Sequence, residues 1–261
     1  MARPRCLLLM TAALAASAVL VGGCFAPKSN QMNVPPPPLV KPRGEFRDKL
    51  YALVPVSTGN PAPMVEMRLV GPGNGFGHAL YDEAQAYLRQ QTLDLLSQAQ
   101  AAAAKLDCSL LVLDAARSDP VQRALAALVA DDRFVKAPKK SEGSPETHGA
   151  AVDVTLVDMS NGGRELQMGS EYMQIEPASL NTADSVDKDA LLNRINLQNL
   201  MLRVGFEQGS TWWHYSDPSW KDYPEVAESD YPHKLSKAAQ EALERARASG
   251  SESAPAENPA G

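Results

Sequence analysis

Three short segments of the sequence hold the side chains that could do chemistry. They are Asp114–Arg117, Glu146–Asp153 and Trp212–Tyr215, and together they supply carboxylates, imidazoles and an arginine. Carboxylate oxygens and imidazole nitrogens bind divalent cations such as zinc, and an arginine stabilises negative charge that develops on a carbonyl oxygen. Each residue alone also has an ordinary structural interpretation, as a surface charge or as the partner of a neighbouring amide. The combination indicates a binding or catalytic site.

Each segment falls at the end of a predicted element, where binding groups commonly lie. Ser109–Leu113 is a short apolar strand that must end near Asp114, and Asp119-Pro120 is typical of a helix N-terminus. Helices that come first and hairpins that follow predict an α+β fold, with a hairpin-rich antiparallel sheet packed against helices. The predicted helices cover residues 92–106, 119–129, 188–204 and 236–248, and the predicted strands cover 109–113, 151–157, 165–168 and 212–215.

Two of these elements carry patterns that assign faces. In the strand over 151–157, Asp153 interrupts an otherwise apolar run and lies on the face opposite the apolar side chains, so it is a candidate functional residue. The helix over 188–204 has an apolar side that we expect to pack, with Gly205 placed to end the helix. That apolar side is formed by Leu191, Ile195 and Leu202.

The segments, in this order, resemble the D-alanyl-D-alanine dipeptidases of the vancomycin-resistance type, within the zinc D,D-peptidases. Ser144–Asp153 (SPETHGAAVD) lies without a gap on the family motif Ser-x-His-x-x-Gly-x-Ala-x-Asp, and Asp114–Arg117 (DAAR) is similar to its Asp-Ala-Tyr-Arg. Trp212–Tyr215 (WWHY) matches the end of its Glu-Trp-Trp-His-Tyr. The likeness covers about 66–234 and includes three further matches: Arg68–Tyr81, Met168–Ser170 and Asn193–Phe206.

The resemblance implies one catalytic zinc ion with three protein ligands and an open position. Matched position by position, Asp153 and His214 are two of the ligands, and Arg117 is the arginine expected to stabilise the scissile carbonyl. The implied substrate is D-Ala-D-Ala or a related small peptide derived from peptidoglycan. The pocket is expected to be lined by Tyr172, Trp212 and Trp213.

The sequence departs from the family at two decisive positions. Glu146 replaces the first histidine ligand, and Thr211 replaces the glutamate that acts as general base. Glu146 could bind zinc through oxygen, whereas a threonine hydroxyl cannot take a proton at neutral pH. His148 is the alternative to Glu146, because residues 146 and 148 point the same way on an extended stretch, and Glu207 is a possible substitute base.

The two ends of the chain are predicted to lie outside the folded domain. Arg3 and Arg5, the apolar run 6–21 and Gly22-Gly23-Cys24 are typical of a bacterial lipoprotein signal covering 1–23, with Cys24 lipidated. A retained transmembrane anchor is disfavoured because a span needs about 20 apolar residues. A proline-rich linker over 24–45, the dipeptidase-like domain over 46–235 and a short helix with a disordered tail over 236–261 complete the organisation.

Composition limits the partners and the location. The 31 acidic residues outnumber the 25 basic residues, so no electrostatic surface for nucleic acid is expected. The signal places the protein in the bacterial cell envelope, anchored by lipid and exposed on the periplasmic face. Cys108, the cysteine left after cleavage and lipidation, is predicted to be a buried, inert thiol, and His78 and His233 are predicted to lie at the surface.

Two functions follow from the sequence. The first is a cell-envelope zinc metallopeptidase that hydrolyses D-Ala-D-Ala or a related small peptide. The second is a catalytically degenerate relative that binds peptidoglycan-derived peptides or a protein partner without cleaving them. Arg117, Asp153 and His214 favour the first, which the sequence places slightly ahead, and Glu146 and Thr211 favour the second.

Overall fold

The computed structural model describes residues 51–72 and 74–251, and the α+β fold predicted from the sequence is confirmed there. The predicted signal, the linker, Cys24 and the tail beyond 251 lie outside the described residues. The helices are α1 (Gln90–Ala104), α2 (Asp119–Val129), α3 (Lys188–Arg203) and α4 (Lys237–Ser251). The strands are β1 (Leu53–Pro55), β2 (Met64–Val65), β3 (Tyr87–Arg89), β4 (Cys108–Asp114), β5 (Ala151–Asp158), β6 (Arg164–Glu165), β7 (Glu207–Gln208) and β8 (His214–Ser216).

The main sheet has the strand order β2-β4-β5-β8-β7, with β6 paired to β5. The pairs β4–β5, β5–β8 and β7–β8 are antiparallel, as predicted, whereas the short edge pair β2–β4 is parallel. Strands β1 and β3 form a separate two-stranded antiparallel sheet. β4 and β5 lie at the centre and are buried along their whole length, which explains their nearly continuous apolar sequences.

Helix ends follow local capping chemistry. The prediction for α2 is confirmed, with Pro120 in its first turn, although Ser118 occupies the N-cap position. α1 begins at Gln90, so Thr92 lies inside the helix and does not cap it. The Thr92 hydroxyl is buried and donates to Asp217 at 3.2 Å. None of the helices within 51–72 and 74–251 combines the length and apolarity that a bilayer span requires.

The predicted packing face of α3 is wrong. Leu191, Ile195 and Leu202 are 38%, 42% and 44% exposed. The inner face instead contains Arg194, whose guanidinium donates to the carbonyls of Met168, Leu180 and Ala178. The rest of the buried side is largely apolar, with Ala190, Leu197, Leu200 and Met201. The helix therefore has two apolar sides, and the one that packs lies beside loop carbonyls that need a donor.

Two further residues differ from the sequence prediction. His233 is buried rather than at the surface, and its ring stacks on Tyr81 with the centroids 4.8 Å apart. Cys108 is buried, as predicted, but it is disulfide-bonded rather than the free thiol that the sequence led us to expect. His78 is half-buried, with Nδ1 2.9 Å from the carbonyl oxygen of Phe76.

Candidate functional site

Three adjacent strands bring the predicted site residues together. Asp114 ends β4 and is paired in register with Asp153 on β5, after a register shift at Val112. Asp153 is in turn paired with His214 at the start of β8. The antiparallel pairing therefore places two carboxylates and an imidazole side by side, although Asp153 and His214 are far apart in sequence.

Arg117 follows β4 and is buried against these carboxylates. Its Nη2 donates to Asp153 Oδ2 at 2.6 Å, its Nε donates to Asp114, and its Nη1 donates to Gln122 Oε1 at 2.9 Å. All three nitrogens of the guanidinium therefore have protein acceptors. The geometry makes Arg117 the central cation of a buried network, and a substrate carbonyl would have to compete with these acceptors.

Asp153 is the most highly connected carboxylate of the site. Besides Arg117, it accepts from Tyr172 Oη at 2.8 Å, and its Oδ1 lies 2.7 Å from His214 Nδ1. Burial alone raises the pKa of Asp153, but the charge of Arg117 and the hydrogen bond from His214 outweigh burial and lower it below the usual value. Asp153 is therefore ionised at neutral pH.

The imidazole of His214 lies between two carboxylates. Nδ1 faces Asp153, and Nε2 lies 3.6 Å from Glu146 Oε1. Burial lowers the pKa of His214, but the hydrogen bond to Asp153 and the charges of Asp153 and Glu146 outweigh it, so the pKa is raised. This arrangement favours an imidazolium that links the two acids.

Asp114 has the opposite balance. Burial and the nearby charge of Asp153 raise its pKa against the lowering effect of Arg117. Tyr81 donates its hydroxyl to Asp114, and the pKa of that hydroxyl is raised well above the ordinary value, first by burial and then by the charge of Asp114. The tyrosine therefore remains a neutral donor and fixes the carboxylate from behind.

The donors do not fit a zinc site with three protein ligands. Asp153 and His214 meet through Oδ1 and Nδ1, but Glu146 approaches the opposite ring nitrogen and cannot share a metal with Nδ1 in this arrangement. Among the residues that the structure describes, no group of three or more His, Cys, Asp or Glu side chains could hold a metal ion. The site as built is an ion-pair network rather than a metal centre.

His148, the alternative to Glu146, is not brought to this network. Residues 145–149 form turns rather than an extended stretch, so the expectation that 146 and 148 point the same way is wrong. His148 is buried, with Nδ1 2.8 Å from the carbonyl oxygen of Ser144 and its ring 5.0 Å from that of Trp220. The ring thus stabilises the loop that carries Glu146.

Neither Glu207, the possible substitute base, nor Thr211, which replaces the family's base, lines the cavity beside the imidazole. Glu207 is exposed on β7, paired with Ser216, and does not line the cavity beside His214. Thr211 is 1% exposed, does not line that cavity, and its hydroxyl has no hydrogen-bond partner in the described part of the chain. In this structure, no glutamate takes the position that the family motif assigns to the base.

A cavity of about 300 Å³ opens beside the network, at the small end of the usual range for small-molecule sites. Arg117, Asp153, Glu146 and His214 line it, as does Trp213. Of the other predicted pocket residues, Tyr172 contacts Asp153 and packs on Trp213 at 5.3 Å. Trp212 is buried behind Trp213 and donates its indole N–H to Ser170 at 2.9 Å.

The outer half of this cavity was not predicted from the sequence. Its additional lining residues include Phe134, Lys136, Lys139, Glu142, Trp220 and Lys221. They come from the connection between α2 and β5 and from the 3-10 helix Pro218–Asp222 after β8, where neither periodicity nor a motif marks a residue as facing a site. A signal was nevertheless present, because Trp220 and Lys221 follow the WWHY segment closely and add an aromatic ring and a cation.

Gly209 gives His214 the space that it needs. The Gly209 N–H donates to the carbonyl oxygen of His214 at 2.8 Å, and a Cβ at residue 209 would lie 2.5 Å from His214 Cδ2. We therefore expect Gly209→Ala to displace the imidazole from Asp153. A changed chemical shift and a lowered pKa of His214, measured by NMR, would report this. Gly71→Ala, where a Cβ meets nothing within 4 Å, is the matched control and should leave both unchanged.

Comparison with known proteins places the chain in a family of hydrolases. The family model described as D-ala-D-ala dipeptidase matches residues 53–235, and the chain belongs to this family, whose members are zinc metallopeptidases. Among curated proteins, the chain is similar to the D-alanyl-D-alanine dipeptidase of Escherichia coli (strain K12), with 28% identity over 155 residues, 59% of this chain and 78% of the relative. The resemblance recognised from the sequence is thus confirmed.

Proposed function

We propose that the protein binds D-alanyl-D-alanine or a related small peptide derived from peptidoglycan, at the cell envelope, and that its site has changed from hydrolysis towards recognition. The observation that carries this proposal is the Glu146–His214–Asp153 arrangement, in which the two carboxylates face opposite nitrogens of one ring. Both nitrogens of the His214 ring therefore face protein carboxylates. The family membership supplies the class of ligand.

The charges at the inner end of the cavity suit an ammonium group. Two carboxylates, Asp153 and Glu146, line it with two cationic groups, Arg117 and His214, while Asp114 pairs with Arg117 without lining the cavity. Asp114 and Asp153 accept hydrogen bonds from these cations and from tyrosine hydroxyls. Glu146 has only long contacts with cations, because its Oε1 lies 3.8 Å from Arg117 Nη1 and 3.6 Å from His214 Nε2. Glu146 therefore retains the capacity to accept a charge-assisted hydrogen bond from the N-terminus of a peptide.

The mouth of the cavity suits a carboxylate. Lys136, Lys139 and Lys221 line it and are exposed, and Glu142 is the acid that pairs with the last two, at 3.5 Å and 3.6 Å. A short zwitterionic peptide with its ammonium group inside and its carboxylate at the mouth matches both ends. The rings of Trp213 and Trp220 provide apolar walls for small methyl side chains.

The location is proposed from the sequence. The charged start, the apolar run 6–21 and the Gly22-Gly23-Cys24 end support export and lipidation at Cys24. A protein tethered in this way on the periplasmic face would encounter peptidoglycan fragments released during wall turnover. The ligand and the location are therefore mutually consistent.

Zinc-dependent hydrolysis of D-Ala-D-Ala is the second candidate. The specific observation in its favour is that Asp153 Oδ1 and His214 Nδ1, the two donors matched to family ligands, already meet at 2.7 Å. A third donor would come from Glu146 if that side chain moved to the other edge of the ring. If zinc were bound, it would supply Lewis-acid activation of water and of the carbonyl.

Calorimetric titration of the purified mature protein with D-Ala-D-Ala, paired with an assay for free D-alanine with and without added zinc, separates the two functions. We expect binding without release of D-alanine. Zinc-dependent release that Asp153→Asn abolishes would establish hydrolysis instead. Absence of binding with or without zinc would overturn the proposal.

Glu146→Gln should weaken binding of D-Ala-D-Ala at least about tenfold, because a hydrogen bond to a charged group contributes about 1.5–3 kcal/mol. The same titration measures this. Glu165→Gln is the control, since Glu165 does not line this cavity, and its affinity should match the wild type. Equal affinities of the Glu146→Gln variant and the wild type would remove Glu146 from the ammonium site.

A further inference from the structure

A second cavity adjoins the proposed peptide site at Met173. It has a volume of about 890 Å³, and Met173 borders both cavities. The neighbouring Tyr172 borders the second cavity and donates its hydroxyl to Asp153 at 2.8 Å. The segment Tyr172–Met173 is therefore the partition between the ion-pair network and the second space.

Met173 is held in this partition by an unusual backbone conformation. Its φ is +58°, in the left-handed region that a non-glycine residue seldom adopts, and the residue is buried. The turn that contains it is closed by the Gln174 N–H to the Glu171 carbonyl and by the Glu171 N–H to the Gln174 side chain, at 3.3 Å and 3.1 Å. These contacts fix the residue where it divides the two cavities.

We propose that Met173 sets the length of the bound peptide by closing the site at the dipeptide N-terminus. This inference rests on the proposed function, because the ammonium group is placed at the inner end beside Glu146. Met173 is the residue common to the linings of the two cavities, so a third residue that extends from this site into the second cavity would have to pass it. The second cavity lies on the other side of this wall and has room for the additional residue.

The charge of the second cavity is compatible with a displaced N-terminus. Three of its lining side chains are acidic, Glu66, Glu165 and Glu171, and its one cation among the described lining residues, Arg68, is already paired with Glu66 and Glu165. The ammonium group of a tripeptide that reached this space would therefore meet an acidic environment. Removal of the Met173 side chain should open the path without creating a repulsive charge.

Calorimetric titration of the mature protein with D-Ala-D-Ala and with glycyl-D-alanyl-D-alanine measures the length preference. We expect the wild type to bind the dipeptide at least tenfold more tightly than the tripeptide. Met173→Ala should reduce this ratio at least tenfold, mainly by gain of tripeptide affinity. Met173→Gly should do the same, and it remains informative if the alanine variant folds poorly, because glycine adopts the positive φ without strain.

Two matched controls separate wall removal from general loosening. Met173→Leu keeps a large side chain in the partition, and Met168→Ala removes a buried methionine that lines neither cavity, so both should keep the wild-type ratio. If the wild type binds the dipeptide, but its ratio of dipeptide to tripeptide affinity equals that of Met173→Ala and Met173→Gly, this inference alone is overturned. A wild type that does not bind the dipeptide would overturn the proposed function, and this inference with it.

Discussion

Arg117→Met is expected to lower the free energy of unfolding by about 3–5 kcal/mol, the effect of leaving buried charges without their partner. Asp114 and Asp153 are both buried, and each accepts a hydrogen bond from this guanidinium. Methionine has a similar volume but no donor, so two adjacent carboxylates would remain in a low-dielectric environment. Urea denaturation at pH 7 measures the loss.

The loss should depend on pH with a defined sign. Without Arg117, burial and mutual repulsion raise the pKa of Asp114 and Asp153 above the unfolded value of about 3.9. An acid with a raised pKa takes up a proton on folding, so the stability of the variant decreases as pH rises through that pKa. The deficit relative to the wild type should therefore be largest at pH 7 and become smaller towards pH 4.5.

A triple variant distinguishes unpaired charge from simple loss of packing. Arg117→Met combined with Asp114→Asn and Asp153→Asn removes the three charges together, and a buried amide costs less free energy than a buried carboxylate without its partner. We expect the triple variant to be more stable than Arg117→Met alone. Equal stabilities for the two, or a loss below about 1 kcal/mol for the single variant, would contradict the ion-pair account of this site.

The central elements of the fold could be predicted because their signals are local. β4 and β5 are apolar runs too short for helices, and Asp119-Pro120 indicates the start of α2. The packing face of α3 could not be predicted in the same way. Arg194 faces inward because carbonyls from a distant loop require donors, and nothing in the helix sequence identifies those carbonyls.

The candidate site could be predicted only in part, because only some of its residues carry a local signal in the sequence. Asp153 stands out as a charge in an apolar strand, and its pairing with His214 follows from antiparallel strands that meet. The orientation of Glu146 depends on the turns over 145–149, and that of Thr211 depends on a tight connection before β8. Loop geometry of this kind is set by contacts with other segments, which spacing along the chain does not report.

The family membership and the altered site are compatible in physical terms. Arg117, Asp153 and His214 keep the positions of the motif because they stabilise one another through short, buried hydrogen bonds. Such a network supports the fold even if no metal is bound, so its retention does not by itself require catalysis. The positions to which the resemblance assigns a metal ligand and the general base, 146 and 211, are those that differ from the family motif.

Restoration of both differing positions should therefore restore hydrolysis. In the double variant with Glu146→His and Thr211→Glu, histidine supplies a neutral nitrogen donor and removes one negative charge. The longer glutamate side chain carries a carboxylate from position 211, which does not itself line the cavity, towards the site. General acid–base help typically contributes about 10²–10⁴-fold to a rate. We expect about one zinc ion per chain by metal analysis, and release of D-alanine from D-Ala-D-Ala at least about 100-fold above the wild type.

The single variants separate the gain of zinc binding from the gain of turnover. Glu146→His alone should increase zinc content with little turnover, whereas Thr211→Glu alone should increase neither. A second double variant, Glu146→His with Ser210→Glu, addresses the connection before β8, because Ser210 lines the cavity and Thr211 does not. If both double variants take up zinc but neither releases D-alanine, the loss of hydrolysis lies in the pocket itself, in the saturation of Arg117 by Asp114, Gln122 and Asp153.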